Sequence, residues 1–127
     1  GGRRSDNRMQ EISDMTRQLK LLARELSVPV ILLCQLNRGP EQRADHTPVI
    51  SDLRESGSIE QDADMVLLLY RPAAYHDTVE YETGDNKSQV IIAKHRHGPT
   101  GVVELLWQGE YTRFRSIAKN IEREAEK

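Results

Sequence analysis

An α/β fold, with parallel strands leading into an antiparallel edge hairpin, is predicted by three observations in this 127-residue chain. Met9, Ile12, Met15, Leu19, Leu22 and Leu26 recur at three- and four-residue spacing, the period of one helix face. Residues 30–36 and 65–70 are continuous apolar runs, the pattern of strands buried on both faces of a parallel sheet. Residues 102–107 and 111–117 flank Gln108-Gly109-Glu110, a strand–turn–strand arrangement that reads as a hairpin.

Residues 1–4 read as a loop, and the helix should run from about Asp6 to Leu26. Lys20 and Arg24 fall near its C-terminal end, where cations suit the helix dipole. Val28-Pro29 breaks it, and helix, short break and buried strand together make half of a βαβ unit. Residues 37–51 form a polar loop with two prolines and a glycine, longer than most connections, and such loops are functional or disordered. Ser58-Ile59-Glu60-Gln61 has the form of a capping box, so a short helix is expected to start there. After the strand at 65–70 come a loop at 71–87, a third strand at 89–96, and a Gly98-Pro99-Thr100-Gly101 turn. The hairpin follows, then a charged helical tail from Asn120.

The length suits one domain. An apolar content of 37% is low for a globular domain, which hints at a core shared with something absent. A net charge of −2 gives no electrostatic footprint for nucleic acid, which would normally be a basic patch. Cys34 lies inside an apolar run and is expected to be a buried, reduced thiol in a cytoplasmic protein. No apolar stretch is long enough for a membrane span and no signal peptide is visible. Asn86-Lys87-Ser88 fits a glycosylation acceptor by chance.

Among motifs, the phosphate-binding pattern G-x-x-x-x-G-K-[ST] is missing; residues 84–88 imitate only its end. The chain alone should not bind ATP well, and no metal site is expected in it. Gln35 closes the first apolar run, and ligands of open α/β sheets sit at such strand ends, although a single strand-end glutamine is more often structural. Lys94 and Arg96 alternate on a strand and so project to one side, which equally suits an edge strand made soluble by charge. The loops at 37–51 and 52–64 mix Arg38, Arg43 and Arg54 with seven acidic residues. Charge alone reads them as solvated surface. The specific alternative is that a few basic groups and backbone donors grip phosphates while the acidic groups hold the loop in shape. Gly57 could permit close backbone approach to a phosphate. Tyr70-Arg71 and Trp107 could stack on bases, but Trp107 lies in an apolar hairpin strand and reads as core.

The run at 52–64 (DLRESGSIEQDAD) resembles the signature loop of the replicative hexameric DNA helicases of the DnaB family, which have a RecA-type motor domain. The run around Gln35 (LCQLNR) looks like that family's sensor motif, and residues 91–101 (IIAKHRHGPTG) look like its arginine-finger strand. The three occur in the expected order, and the resemblance extends from Met9 to about Phe114. It implies that residues 1–127 are part of a RecA-like motor domain, its C-terminal half, without the half that carries the phosphate-binding loop. It also implies an ATP-dependent helicase that assembles as a homo-hexamer around single-stranded DNA and moves 5′ to 3′. ATP and Mg²⁺ would be bound mainly by residues upstream, and primase and a helicase loader are implied partners. By the resemblance, Gln35 touches the γ-phosphate and relays its loss to the DNA loop. Lys94 and Arg96 reach into the neighbouring subunit's nucleotide site, and Arg38, Arg54, Glu55 and Gly57 contact DNA. His46 departs from the pattern, since relatives often carry a lysine there, and an unperturbed histidine is mostly uncharged at neutral pH. The segment by itself is expected to be inactive. The alternatives are a non-catalytic DNA-binding or assembly module and another RecA-type ATPase, and the signature at 52–64 argues against the latter.

Overall fold

The computed structural model describes residues 2–54, 56–72 and 86–117, with side chains from residue 7 onward except that of Ser56. Residues 73–85 of the loop expected at 71–87, the tail from Asn120, and Glu55 lie outside the described residues.

Helix α1 spans Gly2–Leu26, so it takes in the residues expected as a leading loop. Its end is closed by Ser27 in the left-handed region, φ 53°. The Ser27 N–H donates to the Arg24 carbonyl at 3.3 Å, and the Val28 N–H reaches back to Ala23 at 3.1 Å. This double closure satisfies carbonyls that a helix end otherwise leaves without partners, and Pro29 then prevents continuation.

The apolar run at 30–36 departs from expectation. It forms no ladder; its one pairing is an isolated antiparallel bridge between Leu36 and Leu53. Ile31 and Leu33 are 86% and 90% exposed, and Cys34 is exposed rather than buried. A strand exists only where a second strand supplies hydrogen-bond partners, and none lies beside this run among the described residues.

The four strands are β1 (Met65–Tyr70), β2 (Lys87–His95), β3 (Gly101–Gln108) and β4 (Arg113–Ser116). They lie in sequence order, and every pairing is antiparallel. The α/β class holds, but the expected parallel pairing is absent among the described residues. In β1, Val66 and Leu68 are buried while Met65, Leu67 and Leu69 face solvent. That alternation is the signature of a sheet packed on one face, whereas a continuous apolar sequence suggested two.

Val66 and Leu68 meet Leu53 in a small core, surrounded by Leu36, Ile50, Ile59, Ala63, Ile91 and Ala93. Each fully buried branched side chain of this kind contributes about 1.5–3 kcal/mol. The cluster therefore ties the sheet to α3 (Ser56–Asp62) and to the short 3-10 turn Ile50–Asp52. Helix α3 begins two residues before the serine that opens its capping-box pattern. Thr16 of α1 donates to Asp62 Oδ2 at 2.7 Å and Lys20 donates to the Asp62 carbonyl at 3.0 Å, which locks α1 against α3. At the far end, Trp107 is half-buried, with Phe114 4.9 Å away between ring centroids and the Arg71 guanidinium 4.6 Å from its own. Trp107 therefore packs against those two neighbours outside the buried cluster, where its place in an apolar strand had suggested core.

Candidate functional site

The polar loop between residues 37 and 52 is built around Asp52, which is almost fully buried. Arg43 grips it with two hydrogen bonds, Nη1 to Oδ1 at 2.7 Å and Nη2 to Oδ2 at 2.8 Å. The Val49 N–H donates to Oδ2 at 2.9 Å, and the Asn37 N–H donates to the Asp52 carbonyl at 2.6 Å. The Arg43 guanidinium, reinforced by the Val49 N–H, holds the Asp52 carboxyl below its ordinary pKa against the opposing effect of burial, and Asp52 raises Arg43 in turn. Gly39 is required here: a Cβ would stand 2.4 Å from Asp52 Oδ1 and 2.8 Å from Asn37 Oδ1. Arg43 is thus a structural cation, which leaves Arg38 and Arg54 as the loop's exposed arginines. Arg38 immediately precedes α2 (Gly39–Gln42). His46 is half-buried, with Nδ1 against the Pro40 carbonyl.

Gln35 and Arg54 flank the Leu36–Leu53 bridge. In an antiparallel pairing the residue before one partner and the residue after the other are next to each other across the bridge, which brings these two positions together. Both are exposed. Two residues beyond Arg54, α3 begins, with Gly57 in its first turn and exposed. A Cβ at Gly57 would meet nothing within 4 Å among the described residues, so no packing among them demands glycine there.

Lys94 and Arg96 converge on the other end of α3. Register slips between Val66 and Leu67, so that Lys94 and Ile92 become consecutive partners and Ala93 is bulged out. Bulges re-aim neighbouring side chains. Lys94 Nζ donates to the Glu60 carbonyl. Arg96 donates from Nη2 to the Gln61 carbonyl at 2.9 Å and from Nη1 to Asp64 Oδ1 at 2.6 Å. Its backbone N–H also donates to the Asp64 carbonyl at 2.8 Å. Lys20 completes the group at 3.2 Å from Asp64 Oδ1. Three cations therefore take up the last carbonyls of α3, where the helix dipole is negative. Lys20 first, then Arg96 and His97, hold the Asp64 carboxyl below its ordinary pKa.

Sequence reasoning placed Lys94 and Arg96 on one side and Arg54 beside Gly57. It missed that Lys20, forty-four residues from Asp64 in the chain, shares that carboxylate. No local pattern carries such a pairing.

The donor chemistry here fits only part of a nucleotide. An exposed amide at Gln35 and two cations on a strand end suit oxygens of a terminal phosphate. Nothing in the sequence supplies the loop that would hold the rest. Among the described residues, there is no cluster of three or more His, Cys, Asp or Glu that could hold a metal ion.

Fold and sequence together define a DnaB-like helicase C-terminal domain. Residues 1–116 match the family described as the DnaB-like helicase C-terminal domain, and the chain belongs to that family. It is 56% identical over 117 residues to the replicative DNA helicase DnaB of Leifsonia xyli subsp. xyli, covering 92% of this chain and 25% of that protein. It is 51% identical over 121 residues to the replicative DNA helicase DnaC of Bacillus subtilis, covering 95% and 26%. Among solved structures, a DnaB-like replicative helicase, studied with its interactions with primase, superposes at a TM-score of 0.80 and 50% identity over 87% of this chain and 26% of its own. The ATPase domain of G40P gives the same TM-score and identity, with 38% of its chain covered. The chain thus spans about a quarter of the curated relatives it matches.

Proposed function

We propose that residues 1–127 are part of the RecA-like motor domain of an ATP-dependent replicative DNA helicase, a homo-hexamer that encircles single-stranded DNA and moves 5′ to 3′. The observation that carries this reading is the Leu36–Leu53 bridge, which sets the exposed amide of Gln35 beside the loop of Arg54 and Gly57. ATP supplies the free energy of phosphoryl transfer. Gln35 hydrogen-bonds the terminal phosphate in its own subunit. Lys94 and Arg96 of the adjoining subunit donate to the phosphate oxygens, where charge builds during transfer. Arg38, Arg54, the Gly57 backbone and Glu55 hold one DNA strand by its phosphates and by loop shape. Because Gln35 and Arg54 share one bridge, a shift of Gln35 displaces the DNA loop. Primase is a proposed partner, in keeping with the solved relative, and a loader is proposed with it. The segment alone is expected to hydrolyse no ATP.

The test uses the full-length protein and forked duplexes with a single 5′ or 3′ tail on the loading strand. ATP-dependent strand displacement that requires the 5′ tail is expected. ATP turnover without displacement, or displacement that requires the 3′ tail, would refute the proposal.

A further inference from the structure

The position of Arg96 carries an inference that rests on its reading as a trans-acting finger. Both terminal nitrogens of its guanidinium are committed inward, Nη1 to Asp64 Oδ1 at 2.6 Å and Nη2 to the Gln61 carbonyl at 2.9 Å. One N–H of each terminal nitrogen is occupied in this way, so the fork formed by that pair faces Asp64 and Gln61, and its two-pronged engagement of a phosphate in another subunit requires exchange. The exchange is made easy by two features. The Arg96 and Asp64 side chains are 34% and 68% exposed, so the pair is solvent-screened. Lys20 already lies 3.2 Å from the same Asp64 oxygen, so the carboxylate keeps a counter-ion when Arg96 departs.

We propose that Asp64 is a positioning residue that parks Arg96 on the C-terminal end of α3, with Lys20 as the counter-ion that permits its release. Arg96 then has two alternative partners, the end of its own α3 and the neighbour's phosphate. The first is the helix whose opposite end follows Arg54, so occupancy of the neighbour's site by Arg96 removes a hydrogen bond from the DNA-contact element of its own subunit.

The test measures ATP turnover in the full-length hexamer, with and without single-stranded DNA. Asp64→Asn removes the charge that holds Arg96 and is expected to raise DNA-free kcat roughly fivefold, the scale of one exposed ion pair. The KM for ATP should not move. Asp64→Glu should return DNA-free kcat toward the wild-type value. Lys20→Met leaves Arg96 as the main cation on Asp64 and is expected to lower DNA-free kcat, an opposite sign that general loosening of the fold does not produce. Asp64→Asn combined with Arg96→Ala should match Arg96→Ala alone. Unchanged or reduced kcat in an assembled Asp64→Asn hexamer overturns the proposal, as does an additive double mutant. Should Asp64→Asn fail to assemble, a rise in kcat with Lys20→Met overturns it. Normal turnover in Arg96→Ala sinks the finger reading itself, and is thereby distinguished from failure of the parking role.

Discussion

Leu36 and Leu53 are joined by an isolated antiparallel bridge, and Gln35 and Arg54 are the residues that adjoin it, one before Leu36 and one after Leu53. Sixteen residues of polar loop separate the bridged pair in sequence, held in shape by Asp52 next to the bridge. A short bridge on a rigid hub is a suitable transmission element, because a displacement at Gln35 has little slack in which to be lost before it reaches Arg54.

Arg54→Ala in the full-length protein is expected to weaken single-stranded DNA binding uniformly across sequences, since a phosphate contact carries no base information. The slope of log affinity against log salt should fall by about 0.7, the contribution of one phosphate on a single strand. Fluorescence anisotropy over a salt series measures this. An unaltered slope would place Arg54 away from the phosphates.

Arg96→Ala should leave nucleotide affinity nearly intact, because a finger acts on charge that develops during transfer. Hydrolysis should fall on the order of 10³-fold, the lower range for such arginines. Equilibrium binding of a labelled nucleotide and steady-state turnover separate the two effects. Parallel losses in both would make Arg96 a binding group.

Asp52 gives a pH-dependent prediction. Its carboxyl is held below the ordinary value of 3.8 by Arg43 first, with the Val49 N–H assisting. A folded-state pKa below the unfolded one means stability that is fully present above the unfolded value and lost as pH falls through the folded value. Asp52→Asn cannot titrate and loses the charge-assisted partner of Arg43, so it should cost about 2 kcal/mol at pH 7. The gap between wild type and variant should narrow below pH 4. Urea unfolding at neutral and acid pH tests this, and a gap that stays constant down to pH 2 would show that Asp52 contributes through shape rather than charge.

The sequence made the local structure legible and left the long-range pairings hidden. Strand β1 was read at its observed bounds, residues 65–70, because a short apolar run between turn signals has few other readings. The same logic failed at residues 30–36, where the pattern is equally apolar but no ladder forms, since a partner strand is a property of the fold and not of the run. The alternation of Val66 and Leu68 against Met65, Leu67 and Leu69 was likewise invisible, because all five are apolar. Within the candidate site, strand periodicity placed Lys94 and Arg96 together. The Arg43–Asp52 grip was foreseen only as acidic groups shaping the loop. The approach of Lys20 to Asp64 was not foreseen, because it spans α1 and the residue after α3.

Gly57→Ala separates folding from binding at one position. A Cβ there meets no atom of the described residues within 4 Å, and alanine is favoured over glycine in helices, so stability should hold or rise by up to about 1 kcal/mol. If the backbone at Gly57 lies against a phosphate, the added methyl stands between them. Affinity for single-stranded DNA should then drop roughly tenfold, about 1.4 kcal/mol. Thermal unfolding and DNA titration on the same preparation give both numbers. A variant that is as stable as the wild type and binds DNA equally well would mean that glycine is not needed there for phosphate approach, and the DNA contact would have to be made by Arg54 and Arg38 without it.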